Sequence, residues 1–434
     1  MEDAGPVEEV AEYIPELEDQ APVYSTAHRP LCQYPPAYAD HDVTVPGPYG
    51  PATDMWWVWD LSVMPPRDEQ IAASVRGEGR NVYVVVEDAA WGHSVDEGTV
   101  ANLIRAWDEG TPSDPEHGLY DQVTGLFGDP PDEFDNDPKV YLFLYEMEGY
   151  RGHSFDGYFK VEDQLDVPVS NRHETLHINT LHYAPDSDYM LSVQAHELQH
   201  LIHWGHDRDE ENWLNEAMSE VAMVLTGYGA DERWVDTWLR DPSHALIPDK
   251  IGRGHYGLYM LFGDYLWERF GDSFIKDLTA DPLHGKDSLD ARLGGLNPSL
   301  DLDTVFADLG LAIAVNDTSF EGGMYAFERL DIGEVKATEL SDGLTCYADV
   351  SGRGGMSFMK AQVTAGRTVR VESGSSDGLR LRAAMVGSSG PTLVADTLNG
   401  GATDIDIHED GTLWLAVTNI SGEDASFSAR FKEV

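Results

Sequence analysis

Apolar residues change their spacing twice along this 434-residue chain, and the changes divide it into three textures. Residues 55–183 carry short apolar runs of strand length. Residues 55–61 are largely aromatic, and 81–87 (Asn-Val-Tyr-Val-Val-Val-Glu), 139–145 (Lys-Val-Tyr-Leu-Phe-Leu-Tyr) and 176–183 read as strands. Between them, 95–107 repeats its apolar positions at helical spacing until Gly110 and Pro112 stop it. From Leu191 onward the spacing becomes three and four. It predicts a helix through Leu191, Val193, Ala195, Leu198, Leu201 and Ile202, and a second through Trp213, Leu214, Ala217, Met218, Val221 and Val224. Further helices are expected over 231–240, 256–270, 273–281 and 302–315. From about 336 short apolar runs alternate with Gly, Ser, Asp and Asn turns, which predicts seven or eight antiparallel strands. The whole reads as α+β: a mixed sheet with a helical half over 55–330, then a β-sandwich over 336–434. Residues 1–54, acidic and then rich in Pro and Tyr, read as an N-terminal extension: a prosegment remnant, a strap or a flexible leader.

The two central helices carry residues that their apolar surroundings do not explain. The first contains His196-Glu197-Leu198-Gln199-His200, an H-E-x-x-H pattern. Residues i and i+4 share a helix face, so both imidazoles can aim at one point with Glu197 beside it. The second contains Glu216 and Glu220, again i and i+4. Two histidines leave a catalytic zinc short of a third protein ligand. Glu216 is the preferred candidate, with Glu220 orienting a ligand histidine from behind. His206 competes for the third position, because H-E-x-x-H-x-x-G-x-x-H sites end on a histidine there. However, His203 stands where that pattern has glycine. H-E-x-x-H alone also occurs by chance on exposed helices. Here both helices look buried, and buried charge without a partner is expensive.

The segments His196-Glu-Leu-Gln-His200-Leu-Ile-His, Trp213-Leu-Asn-Glu-Ala-Met-Ser-Glu220 and His255-Tyr256-Gly257-Leu-Tyr259 together resemble the hyicolysin-type neutral metalloproteases. These belong to the glutamate-zincins, the broad group that includes thermolysin. The resemblance covers roughly residues 80–280. It implies a zincin-like catalytic domain with zinc between a sheet and a helical half. It also implies a protein or peptide substrate held on an edge strand near the zinc, with 175–182 as the candidate strand, and a secreted protein. The Asn215-Glu216-x-x-Ser219-Glu220 run looks like the group's N-E-x-x-S-D, with Glu220 in place of the shorter aspartate.

Composition adds limits. Lys and Arg number 28 against 78 Asp and Glu, a net charge of −50. That opposes nucleic acid or an anionic membrane as partner. No apolar run is long enough to span a membrane, and a monomer is expected. The first residues are not a signal peptide, so a leader is expected to have been removed. Calcium is a second candidate cation, with residues 128–138 (Gly-Asp-Pro-Pro-Asp-Glu-Phe-Asp-Asn-Asp-Pro) as its place. These are also ordinary turn residues without EF-hand spacing, and the plain turn is the favoured reading. Cys32 and Cys346 either pair or stay as separate thiols.

The expected mechanism is zinc-assisted peptide hydrolysis. Glu197 acts as general base, and a donor near the zinc stabilises the oxyanion: Tyr256 first, then His255, then Tyr228. The alternative is a zincin without peptidase activity, serving as a binding or adhesion module through its sandwich.

Overall fold

The computed structural model describes residues 55–432, apart from 64, 133, 152–154, 230–231, 243, 249–252, 374–377 and 397–400. The N-terminal extension, Cys32 with it, lies outside the described residues.

The front of the chain forms one six-stranded sheet from β1 (Met55–Asp60), β2 (Arg67–Glu78), β3 (Val82–Glu87), β4 (Val140–Tyr145), β5 (Gly157–Phe159) and β6 (Thr175–Asn179). Its spatial order is β1-β2-β3-β4-β6-β5. The central pairs β3–β4 and β4–β6 are parallel, and the outer pairs are antiparallel. Two helices, α1 (Glu97–Asp108) and α2 (Leu119–Phe127), make the crossover that a parallel pair requires. Alternation explains the unbroken apolar runs. Val82, Val84, Val86, Leu142 and Leu144 join the core shared with the helices. Val85, Tyr141, Phe143 and Tyr145 join a second core with Trp56, Val58 and Tyr158 on the opposite face. A sheet covered on both sides reads as continuous hydrophobicity.

The helical half follows as α3 (Asp188–His206), α4 (Asn212–Thr226), α5 (Glu232–Arg240), α6 (Arg253–Phe270), α7 (Asp272–Thr279), α8 (Gly285–Leu296) and α9 (Leu302–Val315). Helix α4 packs against α3 on one side and α6 on the other. Gly227 ends α4 at φ 70°, in the left-handed region that a side chain resists.

The C-terminal part is β-rich: β7 (Thr338–Glu339), β8 (Thr345–Val350), β9 (Met356–Val363), β10 (Thr368–Ser373), β11 (Leu379–Gly387), β12 (Gly390–Ala395), β13 (Ala402–Asp406), β14 (Gly411–Asn419) and β15 (Ala425–Phe431). They form sheets β13-β10-β15-β8 and β12-β11-β14-β9-β7 around one apolar core. One pairing, β7–β9, is parallel, which departs from the purely antiparallel expectation. The outer face of the second sheet carries Phe358, Trp414 and Ala416 into the main core, against α9. Arg382 reaches back to Asp308 at 2.8 Å and Arg353 to Asp303 at 2.8 Å.

Among the described residues no helix is long and apolar enough to cross a membrane.

Candidate metal centre

Helix α3 is buried without interruption from Met190 to Trp204. Its one polar stretch has nowhere to turn but inward. His196, Glu197 and His200 are at most 1% exposed. Helix α4 answers it across the contact with Glu216, Ser219 and Glu220, also buried, while Asn215 lies at the rim.

Three of these side chains converge on one point. His196 Nε2 and His200 Nε2 stand 3.1 Å apart. Glu216 Oε2 lies 3.4 Å from the first and 3.8 Å from the second. A tetrahedral zinc with bonds of about 2.0–2.2 Å separates neighbouring ligand atoms by roughly 3.3–3.6 Å. These three side chains therefore form a group that could hold one metal ion. The far nitrogens face polar groups of α4. His200 Nδ1 meets Asn215 Oδ1 at 3.1 Å and Ser219 Oγ at 3.0 Å. His196 Nδ1 lies 3.5 Å from Glu220 Oε1. Protons held on the Nδ1 atoms leave the Nε2 lone pairs for a cation.

Electrostatics point the same way. Burial pulls His196 down, but Glu216, Glu220 and Glu197 overcome it and raise the imidazole to about 10. The pocket is built to contain positive charge, which a proton or a metal ion can supply. Burial pushes Glu197 up to about 8, opposed by His196 and by the Phe159 amide, which donates to its carboxylate. Among the described residues Glu197 Oε2 accepts no hydrogen bond. Strand β5 lies directly on this residue. A Cβ at Gly157 would stand 3.3 Å from Glu197 Cγ and 3.1 Å from the His177 carbonyl oxygen, so the close approach calls for glycine.

The chain is similar to a neutral metalloprotease. That protein is ShpI of Staphylococcus hyicus, 24% identical over 286 residues that cover 60% of this chain and 62% of ShpI. The chain thus spans less than two thirds of the length of that metalloprotease. No family model matches. Among solved structures, the lysozyme inhibitor PliG of Aeromonas hydrophila is 15% identical and covers 22% of this chain and 98% of its own, at a TM-score of 0.19. The pre-peptidase C-terminal domain of a Bacillus anthracis collagenase is 14% identical and covers 22% and 95%, at a TM-score of 0.20. Scores at that level support no argument about fold or function.

The structure places the other sequence candidates in different surroundings. Tyr256 is buried on α6, and the charges of Glu216, Glu220 and Glu197 help burial raise its hydroxyl well above the usual range. His255 stacks against Tyr259 and meets His244 edge-on. Tyr228 instead feels Asp188, at the start of α3. His206 is exposed and abuts Gly128 rather than joining the ligand group. The edge-strand expectation for 175–182 is corrected. Strand β6 has β4 and β5 on its two sides, and the edge next to Glu197 is β5. Three residues are too short to show a period. Sequence reasoning also missed Tyr259, whose buried hydroxyl is raised by burial and by Glu216. Its i+3 spacing from Tyr256 was the available signal. Asp156, held at 2.8 Å by the Tyr189 hydroxyl, adds negative charge beside Glu197 and had no sequence signal.

Proposed function

We propose that this chain is a zinc-dependent metallopeptidase of the zincin type, a glutamate-zincin, with residues 55–330 as its catalytic unit and 336–434 as an attached β-sandwich. The observation that carries the reading is the convergence of His196 Nε2, His200 Nε2 and Glu216 Oε2 at separations of 3.1, 3.4 and 3.8 Å. The donor set, two imidazoles and a carboxylate, suits zinc and matches a catalytic site with one position left open. Zinc held there would supply Lewis acidity, polarising a peptide carbonyl and lowering the pKa of water.

The chain's own residues do the rest. Glu220 and Asn215 hold the two rings in the tautomer that leaves Nε2 free. Glu197 takes a proton at its unengaged Oε2 and returns it to the leaving amine. A pKa near 8 without a cation would fall when positive charge enters the site, which places the carboxylate in a range suited to both transfers. Tyr256 donates to the developing oxyanion. The open edge of β5 takes an extended peptide by strand addition, which orients the scissile bond toward Glu197. The substrate is a protein or peptide, and the enzyme acts outside the cell as a monomer.

The test joins metal content to peptide cleavage. Wild type is expected to carry one zinc and to cleave casein in a chelator-sensitive way. Glu197→Gln should keep the zinc and lose activity by about 10²–10⁴-fold. Full activity in Glu197→Gln would overturn the assignment.

A further inference from the structure

A second group of carboxylates meets between the loop before β4 and the start of β6. Asp132 and Asp135, in the loop before β4, and Glu174, just before β6, each bring one oxygen within 4.8 Å of the others. Asp132 is exposed and Asp135 half-buried. Glu174 is only 1% exposed. Asp135 is well served: one oxygen accepts the Asp137 amide at 3.1 Å and the other holds His173 Nδ1 at 2.8 Å. Glu174 is not. Neither of its oxygens has a hydrogen-bond partner elsewhere among the described residues. Burial and the neighbouring charges of Asp135, Asp132 and Asp137 raise it to about 8, against its own amide.

Buried carboxylates are ordinarily paired or bound to a cation, because burying an unmatched charge is expensive. The donors converging here are all oxygens. Hard cations with six to eight oxygen ligands, above all calcium, take such a set, whereas zinc prefers nitrogen and sulfur. A loop can adjust to calcium's irregular shell, and carboxylates that bind through both oxygens would fill much of it.

We propose that Asp132, Asp135 and Glu174 form a calcium site that fastens the loop before β4 to the sheet. The position gives the site a purpose. Pro131 of this loop presses on Gly205, and Gly128 presses on His206, both at the C-terminal end of α3. Glu174 leads into β6, which pairs with β5 and so supports the Phe159 amide that holds Glu197. Calcium would thus clamp two elements that frame the metal centre without touching its ligands. The inference stands whether or not the chain is a peptidase.

The experiment uses the full chain, stripped with chelator and reloaded with one equivalent of zinc. Terbium binding is followed by luminescence sensitised through Tyr120 and Tyr141, both of which feel the charge of Glu174. Thermal unfolding is then recorded with and without about 5 mM calcium, a level that fills extracellular-type sites. Wild type should bind terbium, release it to calcium but not to magnesium, and gain roughly 3 °C or more with calcium. Glu174→Gln should bind terbium at least about 10-fold more weakly and lose the calcium-induced gain, with a calcium-free Tm equal to or above that of wild type. Asp132→Asn, on the exposed loop, should lose the gain in the same way and decides the matter if Glu174→Gln does not fold. No calcium-induced gain in wild type, or a gain kept in the variants, overturns the proposal.

Discussion

Two interiors of this molecule are filled on opposite terms. Between α3 and α4 the buried side chains include His196, Glu197, His200, Glu216 and Glu220. Between the two C-terminal sheets the core residues are apolar: Val369, Val371, Leu381, Leu413, Leu415, Val417 and their neighbours. The second interior needs only close packing, where each buried aliphatic side chain contributes about 1.5–3 kcal/mol. The first bears an electrostatic cost that the same residues in a sandwich core would not survive. It is tolerable only if the charges meet each other and a cation. On the proposed function, the C-terminal core serves stability and the α3–α4 interface serves chemistry.

The contrast can be broken from either side. The largest expected effect is Glu216→Ala, which should abolish zinc retention and activity together; metal analysis that still finds one zinc per chain would remove Glu216 from the shell. Next, Tyr256→Phe should lower kcat by about 10²-fold or more with KM little changed, as loss of an oxyanion donor does. An equal rise in KM instead would assign the tyrosine to binding. Glu220→Gln acts through His196 and should weaken zinc affinity by about 10–100-fold in chelator competition, a smaller effect than ligand removal. The smallest effect on chemistry comes from the other interior. Leu415→Ala should cost about 2–5 kcal/mol in denaturant unfolding while the kcat of the folded enzyme stays as in wild type. A large loss of kcat there would show that the two interiors are not independent.

Proton linkage sharpens the comparison further. His196 is raised from 6.5 to about 10 and Glu197 from 4.5 to about 8 in the metal-free site. Groups whose pKa rises on folding stabilise the protonated folded state. That stability is full below the unfolded values and is lost as pH climbs through the folded ones. The metal-free chain should therefore lose stability from about pH 4.5 to 8 through Glu197 and from about pH 6.5 to 10 through His196, whereas zinc, which displaces the same protons, should grip harder. The Tm gain on adding zinc should grow from pH 6 to pH 9 in calorimetry. A constant gain would mean that these groups do not titrate with the metal.

How much of this was legible in the sequence depends on how local the signal is. The buried polar group that α3 and α4 bring together was readable because each pair sits at i, i+4 on one helix: His196 with His200, Glu216 with Glu220. Strands β3 and β4 were readable because they are buried on both faces. Strand β2 was not. Its Arg-Asp-Glu-Gln opening is largely exposed and shows no alternation, although it is a 12-residue strand. Helices α2 and α8 were also missed, α8 because Gly-Gly near its end reads as a break. Contacts made by folding across distance left no trace. Nothing in the chain announces that Glu174 reaches Asp132, or that the short strand β5 lies on Glu197. The loop at 128–138 reads as a plain turn in sequence, because Glu174, whose oxygens lie near those of Asp132 and Asp135, comes only after β4.

The central claim is that two imidazoles and the Glu216 carboxylate share one cation. X-ray absorption at the zinc edge of the loaded protein tests it most directly. The account predicts a first shell of two imidazole nitrogens with the remaining ligands oxygen, at about 2.0–2.2 Å. A third imidazole in that shell, lost in His206→Ala but kept in Glu216→Ala, would contradict it.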